Sequence, residues 1–188
     1  RLLRGGQMAD SATTTAGLAE ATQRRLGLDA GAVPVLTPIL KGGSDRTFHR
    51  VTLKDRGPVI LMHYSSQREE NAYWADIAVF LRGLGVRVPR VLGHEAEQGL
   101  VWVEDLGTVD LHSHRETRWT ERRRLYVSTL DTVIRLHDAG LEAARAAGLR
   151  LMPGFDSDLY AWERNYFFER FVHGACALTL AAQEKSEL

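Results

Sequence analysis

The order in which apolar alternation, glycine and helical periodicity follow one another constrains this chain more than any single residue does. Val33-Pro34-Val35-Leu36-Thr37-Pro38-Ile39-Leu40 is strand-like, and its two prolines, which cannot donate to a central ladder, suit a sheet edge. The polar Lys41-Gly42-Gly43-Ser44-Asp45-Arg46 comes next, and Thr47-Phe48-His49-Arg50-Val51-Thr52-Leu53 then alternates as a strand does. Asp55-Arg56-Gly57 turns the chain into the apolar run Pro58-Val59-Ile60-Leu61-Met62. A helix is expected from about Gln67 to Leu84, where Tyr73, Ile77, Phe80, Leu81 and Leu84 form one apolar stripe and Gly85 can end it. Val86 to His94 and Leu100 to Val103 read as two further strands joined by the turn Glu95-Ala96-Glu97-Gln98-Gly99.

Beyond Gly107 the pattern is helical. Tyr126, Leu130, Val133, Ile134 and His137 share one face, which puts His137-Asp138 at a helix end, and Asp156 or Ser157 can cap a helix through Trp162, Tyr166 and Phe171. Trp162, Tyr166, Phe167, Phe168 and Phe171 read as core. Strands first and helices second predict a two-lobed α+β fold: residues 1–26 an extension with a short helix from Ala16, residues 33–107 a small antiparallel β-sheet lobe with one helix, and residues 108–188 the start of a helical lobe.

A length of 188 residues fits about one domain, and 44% hydrophobic content is enough to bury a core. The 24 basic and 24 acidic residues cancel, so no global field argues for nucleic acid or an anionic membrane, and the expected partner is a small molecule. Cys176 stands alone and no Cys/His cluster has metal-ligand spacing, which makes a reducing cytoplasm the default expectation. No apolar run approaches the ~18 residues of a membrane helix. Arg1-Leu2-Leu3-Arg4 is too short for a signal peptide, and Met8 reads as a plausible start, with residues 1–7 upstream of it.

The loop between the first two strands is where chemistry enters. Glycines let backbone amides approach phosphate oxygens, so Gly42, Gly43 and Ser44 can sit over phosphates with Asp45 beside them and Arg46 and Lys41 adding charge. The same Gly-Gly-Ser-Asp also describes an ordinary hairpin turn. No Gly-x-x-x-x-Gly-Lys-Ser/Thr occurs, which excludes a P-loop, and Gly83-Leu84-Gly85 ends a helix instead of following a strand, which excludes a dinucleotide fingerprint. Arg122-Arg123-Arg124 beside Glu121 reads as a solvated helix face.

Gly43-Ser44-Asp45-Arg46-Thr47-Phe48-His49-Arg50-Val51, then Val59-Ile60-Leu61-Met62, then Gly85-Val86-Arg87-Val88-Pro89-Arg90-Val91-Leu92, then Val103-Glu104-Asp105-Leu106-Gly107, occur in that order. The series resembles the aminoglycoside phosphotransferase and choline kinase-like family. Within it the chain is most similar to bacterial cell-wall amino-sugar kinases acting on N-acetylmuramate and N-acetylglucosamine. Leu125 to His137 and Leu151-Met152-Pro153-Gly154-Phe155-Asp156 resemble the family's next helices, so the likeness spans about residues 33–172. The resemblance implies a protein-kinase-like fold and ATP with Mg2+ as cofactor. It implies transfer of the γ-phosphoryl group, chiefly by positioning and charge neutralisation, to a hydroxyl of a sugar or amino sugar. It also implies a nucleotide site of Gly42, Gly43, Ser44, Asp45, Arg46, Met62, Glu104, Asp105, Leu106 and Gly107, the hinge residues presenting backbone groups to the purine.

Three departures accompany the likeness. Kinases of this fold carry a third-strand lysine, whereas Met62 stands here; a Met is similar to the amino-sugar branch, in which Arg46, Arg50 or His63 would substitute. Glu69 and Glu70 lie where kinases keep the helix carboxylate that orients that lysine, and an ordinary helix-start acid fits them equally. No His-x-Asp loop with an Asn five residues after the Asp occurs; at His173-Gly174-Ala175, Ala175 and Leu180 stand where the Asp and Asn would be. No catalytic residue or metal ligand is therefore assigned, both being expected in a segment beyond Leu188, and these residues alone are expected to be inactive. The alternative is a non-catalytic nucleotide- or protein-binding module built on a kinase-like lobe.

Overall fold

A computed structural model describes residues 14–29, 31–40, 46–54, 56–181 and 183–184. The start at Met8 and the glycine loop over Lys41, Gly42, Gly43, Ser44 and Asp45 lie outside the described residues. Two compact units divide the chain after Leu151.

In the first unit β1 (Val35–Ile39), β2 (Thr47–Thr52), β3 (Val59–His63), β4 (Val91–Glu95) and β5 (Leu100–Glu104) form a five-stranded antiparallel sheet in the order β1-β2-β3-β5-β4. The strand with prolines is an edge, as their missing donors require. The other edge, β4, begins at Val91 and not at Val86, because Pro89 cannot donate to a ladder and residues 86–90 run without one. A register shift between Val91 and Gly93 interrupts its pairing with β5.

The central strands are sealed from both sides. Helix α1 (Thr15–Leu26), capped by the Thr14 hydroxyl, packs Leu18 and Ala21 against Val51, Leu53, Val59, Leu61, Leu100 and Trp102 on one face. Trp102 is fully buried, and its indole Nε1–H donates to Thr22 Oγ1 at 2.9 Å while that hydroxyl donates to Leu18 O at 2.7 Å. On the opposite face Met62, Tyr64, Val101 and Val103 cluster beneath Trp74 of helix α2 (Glu70–Gly83).

The buried side of α2 differs from the stripe of large residues expected from sequence. Asn71, Tyr73, Ala75 and Ala78 are buried, whereas Ile77, Phe80, Leu81 and Leu84 are half-buried, because the two alanines let the helix come close to β4. Gly85 ends the helix as expected: at φ 74° it donates to Arg82 O at 3.0 Å, and Val86 N donates to Leu81 O at 3.0 Å.

Helix α3 (Trp119–Arg135) carries no buried residue and runs through a π turn (Leu136–Gly140) into α4 (Leu141–Ala146). His137-Asp138 therefore lie inside helical backbone and not at its end, since the alanine-rich sequence beyond them sustains the helix until Gly148. In the second unit Asp156 caps α5 (Ser157–Phe167) by accepting from Leu159 N at 2.8 Å, and a π segment (Phe168–Ala175) follows. Of its five aromatics read as core only Phe168 is buried. One helix has no second layer of its own to cover both faces, so Trp162 stacks on Tyr166 and Phe167 on Phe171 in the open.

Thr22→Val is expected to leave the buried indole N–H without an acceptor and to cost about 1–3 kcal/mol in urea unfolding. Adding Trp102→Phe should cost less than the sum of the single losses, because the orphaned donor disappears; strictly additive losses would mean that the two groups are not coupled.

Candidate functional site

Alternation along β2 puts Phe48 and Arg50 on the sheet face that carries Ile60 and Met62 of β3 and Val101 and Val103 of β5, with Arg46 at the start of the same row and Asp105 at its far end. The register aligns Ile39, Phe48, Met62 and Val101 across the sheet, and Thr37, Arg50, Ile60 and Val103 beside them. This face is cationic at the glycine-loop end, apolar in the middle and closed by the segment after β5. Phe48 and Ile60 are half-buried and present apolar surface, and a cavity of about 240 Å³ at the hairpin end is lined by Ile39, Leu40, Arg46, Phe48 and His49 among others.

Both ends of the row are tied down. Arg46 Nε donates to Asn71 Oδ1 at 2.8 Å, and the buried Asn71 amide donates in turn to Ser65 O at 2.9 Å, so α2 fixes the guanidinium at the base of the loop. At the other end Arg50 grips Asp105 with two nitrogens, Nε to Oδ2 at 2.6 Å and Nη2 to Oδ1 at 3.3 Å. Asp105 Oδ1 also accepts from Gly107 N at 2.8 Å, where φ is 88°, a left-handed conformation that favours glycine. The Arg50 guanidinium, and after it the Gly107 N–H, hold the Asp105 carboxyl below the usual carboxylate range against the opposing effect of burial.

The pinned connection, the cationic hairpin end and the apolar strip thus lie along one sheet face. The family model for the phosphotransferase enzyme family matches residues 35–187. The chain belongs to that family. No curated protein matches it.

In this family member the expected site residues divide by geometry. Gly42, Gly43, Ser44 and Asp45 lie outside the described residues. Arg46 stands on the candidate face. Met62 is 2% exposed and packed among Tyr64, Val101 and Val103, so it serves as core and offers a ligand no surface. Arg50 is committed to Asp105, and His63, one residue after Met62 on the strand, points to the opposite face, leaving Arg46 as the candidate lysine substitute that the fold keeps on this side.

Among the groups expected at the hinge, the Glu104 N–H donates to Arg90 O at 2.9 Å, and the Glu104 carboxylate accepts from Arg90 N at 3.1 Å. The Asp105 carboxylate and Gly107 N–H are likewise engaged with each other. The exposed Leu106 has an N–H without a hydrogen-bond partner among the described residues.

The two helix carboxylates have partners of their own. Glu69 precedes α2 and pairs with Arg150, whose guanidinium lies 4.9 Å from the Tyr73 ring centroid; the Tyr73 hydroxyl and then Arg150 hold the Glu69 carboxyl below its ordinary range. Glu70 lies 3.8 Å from Arg68.

The sequence reading missed Asn71, Phe48 and Ile60. Asn71 carried a usable signal: a polar residue spaced four and seven positions before Ala75 and Ala78 sits on the sheet-facing side of its helix and so requires a buried partner.

Because the native pKa of Asp105 is depressed, its contribution to stability is present above the unfolded value of about 4 and is lost as pH falls through the lower native value. Asp105→Asn keeps an acceptor for Gly107 and removes the charge. Its urea midpoint is expected to lie below that of wild type at pH 7, with the gap closing on acidification; a gap that stays constant to low pH would sink the assignment.

Proposed function

We propose that this chain is the nucleotide-binding portion of an ATP-dependent kinase that phosphorylates a hydroxyl of a small sugar or amino sugar, working in the cytoplasm. The observation that carries the nucleotide part is the polarity of one sheet face, with Arg46 at the glycine-loop end, an apolar strip of Phe48 and Ile60, and a hinge held by Arg50 and Asp105. On this reading Gly42, Gly43 and Ser44 cover the phosphates with Asp45 beside them, Arg46 supplies the charge that a third-strand lysine supplies elsewhere, and the Leu106 N–H meets the base. Membership in the family supports phosphoryl transfer, and the amino-sugar acceptor rests on sequence likeness alone.

The residues in hand fit the nucleotide better than the metal. Mg2+ would neutralise charge on the β- and γ-phosphates, but among the described residues no group of three or more His, Cys, Asp or Glu could hold a metal ion. The binding residues act by orientation: they fix the phosphate chain and exclude water from the base. The base that accepts the hydroxyl proton is not among these 188 residues, which contain no His-x-Asp. Among the described residues no helix is long and apolar enough to cross a membrane.

Isothermal titration of the full chain with a non-hydrolysable ATP analogue and Mg2+ tests this. Gly43→Val and Arg46→Ala are each expected to weaken binding by about ten-fold or more, the worth of one hydrogen bond to a charged group. Wild-type affinity in both variants would reduce the loop to a turn, and phosphoryl transfer by this chain alone would contradict the reading that it lacks the proton acceptor.

A further inference from the structure

On the face of the sheet opposite the candidate nucleotide surface, a cleft of about 480 Å³ opens between the C-terminal end of α1, the turn before β3, and β4. Its walls bring together Arg25, Arg56 and Arg90 over an apolar floor that includes Leu53 and Leu92; among the described residues lining it, Glu104 supplies the one carboxylate. A second cavity of about 480 Å³, which shares Leu53 and Arg56 with the first, adds Lys54 and Asp29. These volumes fall within the ~300–1,000 Å³ of small-molecule sites.

Each arginine is positioned by a different device. Arg56 Nη1 donates to Leu26 O at 3.1 Å, the carbonyl at the end of α1, which leaves its other nitrogens directed elsewhere. Arg90 is locked through its backbone, accepting from Glu104 N and donating to Glu104 Oε2, so its side chain is presented without being consumed. Arg25 lies flat over Gly93, where a Cβ would collide with its Cγ, Cδ and Nε. Among the described residues neither the Arg25 nor the Arg90 guanidinium has a hydrogen bond or ion pair. Helix-dipole compensation accounts for Arg25 at the α1 terminus but not for Arg90 or Arg56, which come from other elements to the same cleft.

We propose that this cleft binds a small organic anion, a phosphate ester or carboxylate with an apolar body, at a site separate from the nucleotide surface. Guanidinium groups suit both head groups because their paired N–H donors match two oxygens at once, and Leu53 and Leu92 would take the apolar body. The inference does not depend on the nucleotide reading, since the two surfaces lie on opposite faces of the sheet.

The test uses the full chain at constant ionic strength, titrated by calorimetry with phenyl phosphate and, separately, with benzoate; benzyl alcohol is the neutral control. Saturable binding of either anion, and none of the alcohol, is expected, and the tighter of the two identifies the head group. Arg56→Gln and Arg90→Gln should each weaken binding about ten-fold, whereas Arg123→Gln and the loop variant Gly43→Val should leave it unchanged. Gly93→Ala removes no charge yet displaces Arg25, so a several-fold loss in that variant separates the site from a nonspecific response to lost charge. No saturable binding of either anion, equal binding of the alcohol, or wild-type affinity in the cleft variants overturns the proposal. ATP-analogue binding measured on the same variants keeps the two readings apart.

Discussion

A buried indole N–H on the central strand must find an acceptor, and that requirement organises the first unit. Trp102 is fully enclosed, so without Thr22 its donor would face only hydrocarbon. The Thr22 hydroxyl meets the need in both directions, accepting from the indole and donating to Leu18 O within its own helix. This fixes α1 in rotation as well as position, since a turned helix would lose the acceptor while keeping much of its apolar contact. With α1 fixed on one face, α2 and its alanines pack on the other.

The hinge depends on a comparable device. Arg50 reaches along the sheet to Asp105, and Asp105 holds Gly107 in a conformation that other residues adopt only with strain. The preceding residue, Glu104, is bonded twice to Arg90. The connection is therefore restrained twice, by Arg50 of β2 and by the segment before β4. A segment restrained in this way has little backbone freedom left to lose.

Local signals carried much of this into the sequence. Prolines marked the edge strand, alternation marked β2, Gly85 marked the end of α2, and Asp156 marked a cap, because each acts within a few residues. The resemblance drew attention to the segment after β5 and to the methionine on β3. What was not legible is long-range: Thr22 and Trp102 are 80 residues apart and Arg50 and Asp105 are 55, and no periodicity announces either pair. The burial of Met62 depends on Trp74 arriving from α2, and the exposure of Trp162 and Tyr166 depends on what their own unit lacks. Composition counts apolar residues without saying which layer will cover them.

The missing lysine then becomes a question of packing. A lysine at position 62 would have to place its ammonium among Tyr64, Val101 and Val103, in a pocket that α2 closes with Trp74, where desolvation would disfavour the charge. Methionine suits that enclosure, and the cation on this side of the sheet is Arg46, whose Nε donates to Asn71 Oδ1. This accounts for Glu69 turning to Arg150 instead of the sheet: with no third-strand cation to orient, the helix carboxylate has no interior partner to offset its desolvation.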